Sequence, residues 1–437
     1  MLTPEDNELL TRTGAGTPLG AALRRYWVPA LLAEELPGPD CNPLRVRLLS
    51  EDLVAFRDSN GRVGLVDAHC AHRGASLFFG RNEESGIRCV YHGWKYDVDG
   101  RCVDMPNEAA GRRTQSGGRD SDQSTTVEAQ DTVTSNLKDK IALKAYPCRE
   151  RGGIVWAYMG PGSAPALPDL EWATLPEAQR CVSKRLQECN YLQALEGAVD
   201  LSHIVFLHRS LDSEQGRDDL DLARRDPSPK VEVLDTDGGL VVAARRNADR
   251  ERYYWRINQF IMPWYTMFPP LVDEGIGGHA FVPVDDESCW VYNLTWDPTG
   301  PLAPVAEGIY GDLIPGTYRS RANRDNDFLI DRRVQQTTSF TGIPGFAAQD
   351  CAVQESMGTI CNRTQEHIGP SDLPIIGVRR RLKEAAEAVQ TGGDPPGLDP
   401  MSQRVRPAAL LLPTDVPFQE GAKTALIADS DSYVVRV

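Results

Sequence analysis

The sequence predicts an α+β fold: a small all-β module, then a larger unit in which an antiparallel sheet carries helices. Three observations support this. From 44 to 105 the chain is a run of short β segments separated by turn signals. Beyond Gly160-Pro161-Gly162-Ser163-Ala164-Pro165, a linker by composition, alternating strands are predicted at 230–247, 252–263 and 278–297. Helical patterns surround those strands, at 186–209, 303–336 and 372–391.

Each element has a local reason. Residues 3–25 begin with Thr3 as cap, Pro4 in the first turn and Glu5 as an early acid, with Leu9, Leu10, Leu19 and Leu23 as apolar positions. In the first β segment Leu44, Val46 and Leu48 alternate with Arg45 and Arg47, the pattern of a half-buried strand. Ser59-Asn60-Gly61 and Asp97-Val98-Asp99-Gly100 mark turns between strands. Residues 109–136 are rich in Gly, Ser, Thr, Gln and Asp and poor in large apolar side chains, so a mobile insertion is expected there. Strand-like sequence resumes at Gly153-Ile154-Val155-Trp156-Ala157-Tyr158-Met159. The expected domains are an N-terminal helical segment, 1–25, packing on the larger unit; the all-β module, 26–160; and the larger unit, 166–437.

A chain of 437 residues has room for two or three domains with a substantial core. Hydrophobic content of 41% and charged content of 25% describe an ordinary globular protein. The net charge of −15 argues against nucleic acid and anionic membrane surfaces as partners. No apolar run approaches the roughly eighteen residues of a membrane span. The start, Met1-Leu2-Thr3-Pro4-Glu5-Asp6, lacks the basic and apolar regions of a signal peptide, so cytoplasm is the expected location. Eight of the ten cysteines are scattered and read as buried thiols.

The other two cysteines belong to a pattern. Cys70-Ala71-His72 is followed, after sixteen residues, by Cys89-Val90-Tyr91-His92. Two thiolates and two imidazoles, one of each from two loops, suit a Rieske [2Fe–2S] cluster, with both cysteines on one iron and both histidines on the other. Structural zinc is the alternative, but its ligands usually pair Cys with Cys and His with His. Trp94 is expected to cover the cluster, and Arg73 and Lys95 flank it as basic contacts for an acidic partner or as solvated charge.

A second pair follows the linker: His203 and His208, preceded by Asp200. Two imidazoles with a carboxylate from elsewhere match the facial triad of non-haem iron(II), which leaves positions open for dioxygen. On an ideal helix the two histidines would stand about 140° apart, so irregular backbone is predicted between Ile204 and Leu207. Asp200, three residues before His203, is placed to hydrogen-bond it. No Gly-x-Gly-x2-Gly opens a βαβ unit, so electrons for such an iron must come from a separate reductase. Arg245, Arg246 and Arg256, in a stretch with Tyr253, Tyr254 and Trp255, are candidates to bind a substrate carboxylate.

With these motifs the chain resembles the oxygenase component (large, α subunit) of Rieske non-haem iron aromatic ring-hydroxylating oxygenases. Gln193-Ala194-Leu195-Glu196-Gly197, Leu2-Thr3-Pro4-Glu5-Asp6-Asn7-Glu8-Leu9-Leu10 and Tyr254-Trp255-Arg256-Ile257-Asn258-Gln259-Phe260 are similar to its phthalate dioxygenase branch, which also holds chlorobenzoate and phenoxybenzoate dioxygenases and O-demethylases. The resemblance implies a helix-grip-like catalytic unit and two cofactors, the cluster and a mononuclear iron. It implies a late carboxylate ligand, for which Asp350 is the match and Glu355 the second choice. It implies that Asp200 also reaches a cluster histidine of a neighbouring subunit in a trimer or a dimer of trimers. It further implies an NAD(P)H-dependent flavin/[2Fe–2S] reductase as partner, and cis-dihydroxylation or O-demethylation of an aryl acid. Where some relatives carry Asn, this chain has Glu196; an Asn from elsewhere or water would fill that role.

Overall fold

The computed structural model describes residues 1–107, 137–211, 218–270, 275–303 and 311–428; the insertion expected at 109–136 lies outside them. The chain forms two compact units. One comprises Glu34–Val46 and Asp52–Arg149, the other Met1–Ala33, Arg47–Glu51 and Glu150–Val437. Trp27–Leu32 and Ile154–Tyr158, expected in the all-β module, pair antiparallel with each other within the larger unit.

In the smaller unit Glu51–Arg57 pairs with Val63–Asp67, and Arg81–Glu83, Gly86–Arg88, Lys95–Tyr96 and Cys102–Asp104 form a four-stranded sheet. Its core holds Phe56, Val66, Leu77, Ile87, Trp94 and Tyr96, and it includes both motif cysteines, Cys70 and Cys89. The alternation read in Leu44–Leu48 is present: Val46 and Leu48 are buried, Arg45 and Arg47 exposed.

The larger unit is built on an eight-stranded sheet. Its order is Arg180–Gln187, Cys289–Trp296, Ile276–Pro283, Tyr265–Phe268, Arg252–Ile261, Gly239–Asn247 and Lys230–Thr236, and Ala408–Pro413 also pairs with Arg252–Ile261. Every pairing is antiparallel. The single strand expected at 278–297 is therefore a hairpin. The helix expected over 186–209 is shorter, because Arg180–Gln187 is an edge strand and the helix spans only Tyr191–Val199. Asn190 starts it by accepting from the Leu192 amide (3.1 Å), and extended Asp200 ends it. The helical pattern expected over 303–336 gives, among the described residues, only a 3-10 turn at Arg324–Leu329 and the short helix Arg332–Thr337. Asp327, Phe328 and Leu329 have positive φ, and ring and chain packing of buried Phe328 overrides helical periodicity there. Leu373–Gln390 is the long helix expected at 372–391.

Buried charge ties the larger unit together. Glu196 on Tyr191–Val199 accepts from Arg363 Nε (2.9 Å) and Nη2 (2.8 Å) and from Arg379 Nε (2.7 Å). Arg363 also reaches Asn7 Oδ1 (3.3 Å), joining the N-terminal helix Pro4–Thr11 to this network.

Two candidate metal centres

The two loops of the smaller unit are built alike. The Cys70 amide donates to the carbonyl of Ala75 and the Gly74 amide returns to that of Cys70; Cys89 does the same with Trp94 and Gly93. Gly74 and Gly93 lie at φ 72° and 78°, a left-handed turn that a side chain would strain. Each loop thereby turns its cysteine inward and its histidine outward: Cys70 and Cys89 are buried, His72 and His92 half-buried.

These residues fit a cluster with sulfur on one side and imidazole on the other. Burial and then the neighbouring Cys70 push the Cys89 thiol up. The His72 and His92 rings are 4.5 Å apart. His72 Nδ1 is buried without a hydrogen-bond partner among the described residues, an orphan that a metal would satisfy. Tyr96 Oη lies 3.2 Å from Cys70 Sγ. Trp94 stacks on His72 at 4.4 Å and 11°, its indole donating to Asn107 Oδ1 (2.8 Å). Of the flanking cations, Lys95 is buried and paired with Glu84 (3.0 Å), while Arg73 is exposed beside Tyr91.

In the larger unit the helix ends at Val199 and His203–Val205 form a single 3-10 turn, so the backbone is irregular from Asp200 onward. That break brings the two histidines to one point. His203 Nε2 and His208 Nε2 lie 3.8 and 3.5 Å from Asp350 Oδ1, and the three ligand atoms fall within 4.8 Å of one another. The donor set suits non-haem iron. Each Nδ1 faces away to its own acceptor: His203 to Asp200 Oδ2 (3.3 Å), His208 to Gln349 Oε1 (2.7 Å). Burial opposes ionisation of Asp200 and Asp350, yet the adjacent imidazoles outweigh it and hold both carboxyls below their usual range. Burial likewise opposes the His203 cation, and Asp200 and Asp350 outweigh it. Glu355 lies outside the triad, accepting from the Glu188 amide (3.1 Å) and paired with Arg324.

A cavity of about 170 Å³ opens on this triad. One wall is the helix end, with Ala194, Gly197, Ala198 and Leu201; the other is the sheet. Register explains the sheet wall. Arg185 lies across from Val291 and so from Phe281, and His279 is two residues from Phe281. Asn258 continues the row past Phe268, with Arg256 two residues on, so these residues share one face. Arg185 and Arg256 are buried. Arg185 Nη1 donates to Gln187 Oε1 and Cys351 Sγ, both at 2.9 Å, while its Nε and Asn258 Oδ1 find no partner among the described residues. Burial and then Arg185 lower the His279 pKa to about 4, so this imidazole is neutral near pH 7.

The other two candidate arginines are placed elsewhere. Arg246 shares the face of Arg256 but holds the Leu201 carbonyl (2.9 Å) and that of Asp226, outside the cavity lining. Arg245 points to the opposite face, over the Tyr253 ring at 4.1 Å.

Two family models match, the Rieske [2Fe–2S] domain over residues 26–130 and the LigXa C-terminal domain-like family over 157–410. The 3-chlorobenzoate-3,4-dioxygenase oxygenase subunit of Comamonas testosteroni is 37% identical, over 93% of this chain and 94% of its own. The phthalate 4,5-dioxygenase oxygenase subunit of Pseudomonas putida is also 37% identical, over 90% and 88%. The chain is a Rieske non-haem iron oxygenase. The 5,5'-dehydrodivanillate O-demethylase oxygenase subunit of Sphingobium sp. is 31% identical, over 93% and 86%. Dicamba monooxygenase bound to 3,6-dichlorosalicylic acid shares the fold, with a TM-score of 0.56 at 19% identity, over 84% of this chain and 98% of that one. This Rieske oxygenase is thus an oxidoreductase, an oxygenase subunit whose cofactors are a [2Fe–2S] cluster and a mononuclear iron. Sequence reading missed Arg185 and Gln349. Arg185 sits on the unrecognised edge strand, and the one signal for Gln349 was its place beside Asp350.

Proposed function

We propose that this oxygenase oxidises an aromatic carboxylate, phthalate- or benzoate-like, by cis-dihydroxylation, with Arg185 and Arg256 receiving the acid. The observation that carries this is the cavity itself, in which two buried guanidinium groups face the His203–His208–Asp350 triad. Burying a cation is costly unless an anion compensates it, and Arg185 Nε has no hydrogen-bond partner among the described residues. An apolar cavity of about 150 Å³ accepts benzene, so about 170 Å³ suits one substituted ring. Three of the relatives, those named for chlorobenzoate, phthalate and dehydrodivanillate, are named for aryl acids, whereas another, 32% identical, is named for tert-butanol.

Cys70, His72, Cys89 and His92 would hold the cluster, and His203, His208 and Asp350 the iron. Bound iron supplies dioxygen activation. The protein's part is placement. Phe268, Phe281 and Phe346 enclose the ring and exclude water, Arg185 and Arg256 fix the carboxylate, and neutral His279 adds no competing charge. Asp200 holds the His203 Nδ1 proton, and we assign it the link to a cluster histidine of a neighbouring subunit in a homotrimer or dimer of trimers. Electrons come from a separate NAD(P)H-dependent flavin/[2Fe–2S] reductase, and the cytoplasm, which contains that donor, is the assigned compartment. Among the described residues no helix is long and apolar enough to cross a membrane.

The test is NADH-driven oxygen uptake with a generic reductase across a panel of aryl acids, with product analysis. A cis-diol supports the proposal. Formaldehyde from methoxylated acids supports instead O-demethylation, the reading favoured by the dehydrodivanillate relative. No stimulation by any benzoate or phthalate rejects the carboxylate pocket.

A further inference from the structure

We infer that Gln349 is the positioning residue that fixes the tautomer and ring orientation of His208. This rests on the reading of His208 as an iron ligand. An amide side chain can face a histidine with its oxygen or its nitrogen, and the surroundings decide which. Here Gln349 Nε2 lies 2.9 Å from the Ile343 carbonyl, a group that only accepts. The amide nitrogen is therefore committed, and Oε1 must be the atom 2.7 Å from His208 Nδ1. An acceptor there requires the proton on Nδ1. The Nε2 lone pair is then left free toward Asp350 and the metal position, 3.5 Å from Asp350 Oδ1.

The clamp is tight on every side. Gln349 is buried, the His208 side chain is 6% exposed, and the Phe346 ring meets the imidazole edge-on at 4.9 Å. The backbone around it is pinned too. Phe340 N donates to the Arg209 carbonyl and Leu211 N to that of Thr338, holding the histidine segment to the loop that precedes the helix Phe346–Ser356. That helix thus contributes the Asp350 carboxylate and, one residue earlier, the group that aims His208. The two imidazoles are also unlike: His203 leans on a carboxylate, His208 on a neutral amide. A carboxylate partner makes an imidazole a stronger donor to its metal than an amide does.

Gln349→Met keeps the shape but removes the acceptor; Gln349→Asn withdraws the amide by one methylene; Gln349→Glu keeps an acceptor on Nδ1 while replacing the donor to Ile343 with a second carboxylate oxygen and adding a charge. Iron(II) affinity is measured by chelator competition on the full chain with its cluster assembled. The reduced-cluster EPR signal reports an intact protein, and the nitric oxide adduct reports the mononuclear iron. Removing such a supporting partner weakens metal affinity about 10- to 100-fold. That loss is expected for the Met and Asn variants, with the cluster signal unchanged. The Glu variant should bind within a few-fold of wild type, with an altered nitric oxide spectrum. Wild-type affinity in Gln349→Met, or equal losses in the Glu and Met variants, would overturn the inference. His208→Ala separates the two readings: wild-type iron affinity there removes the ligand assignment itself.

Discussion

At the residue scale, polar atoms whose partners are already committed make the sharpest predictions. Tyr96 Oη lies 3.2 Å from Cys70 Sγ, and with Cys70 as the proposed cluster thiolate the hydroxyl would donate to it, a bond that stabilises the reduced state. A hydrogen bond to a charged acceptor is worth about 1.5–3 kcal/mol, and about 1.4 kcal/mol corresponds to 59 mV for one electron. Tyr96→Phe should therefore lower the cluster potential by up to about 60–130 mV in a redox titration; an unchanged potential would show that the bond is not made. Asp200→Asn should leave both metals bound and reduce turnover about 10- to 100-fold, whereas full turnover would sink the bridging role. The proposed cluster ligands can be picked out in sequence, because Cys70-x-His72 and Cys89-x2-His92 are local patterns. Gln349 and Arg185 were not, since their partners lie 141 and 166 residues away.

At the element scale, the cavity depends on how closely the strands and one helix approach. A Cβ on Gly277 would lie 2.1 Å from Phe268 Cε2, so Gly277 is what lets that ring lie flat on the sheet. Gly277→Ala should drive Phe268 into the cavity, raising KM for the larger ring acids more than for the smallest; equal effects across acid size would contradict it. The strand pattern at 230–263 was readable because Gly239–Asn247 and Arg252–Ile261 are long and rich in apolar and aromatic residues. Arg180–Gln187, RCVSKRLQ, holds one β-branched residue, and it is a strand because pairing with Cys289–Trp296 overrides its weak propensity. The irregular backbone expected between Ile204 and Leu207 followed from a chemical demand, two histidines five residues apart sharing a metal, and the helix in fact ends earlier, at Val199.

At the scale of the whole larger unit, the Glu196–Arg363–Arg379 network sets acid stability. Burial raises the cost of the Glu196 charge, but the two arginines outweigh it and hold its carboxyl below the ordinary 4.5. A carboxyl depressed in the folded state contributes stability that is fully present above its unfolded pKa and lost as pH falls through the folded one. The melting temperature should thus be independent of pH near neutrality as far as this network is concerned, and fall below about pH 4.5. Glu196→Gln, which leaves two buried guanidinium groups short of a partner, should cost about 3–5 kcal/mol. A melting temperature equal to wild type would show the network to be dispensable. The network also gives Glu196 a role in this chain: it braces the helix that leads to Asp200.

The central claim is that a carboxylate, held by the buried arginines, is what the iron site acts on. Its most direct test compares kcat/KM for an accepted aryl acid and its carboxamide, in wild type and in Arg185→Met. Losing one hydrogen bond between charged groups costs about 1.5–3 kcal/mol, roughly 10- to 150-fold. The acid should be strongly preferred by wild type, and that preference should fall by this factor in the variant. Equal turnover of acid and amide by wild type, or an undiminished preference in Arg185→Met, would contradict the account.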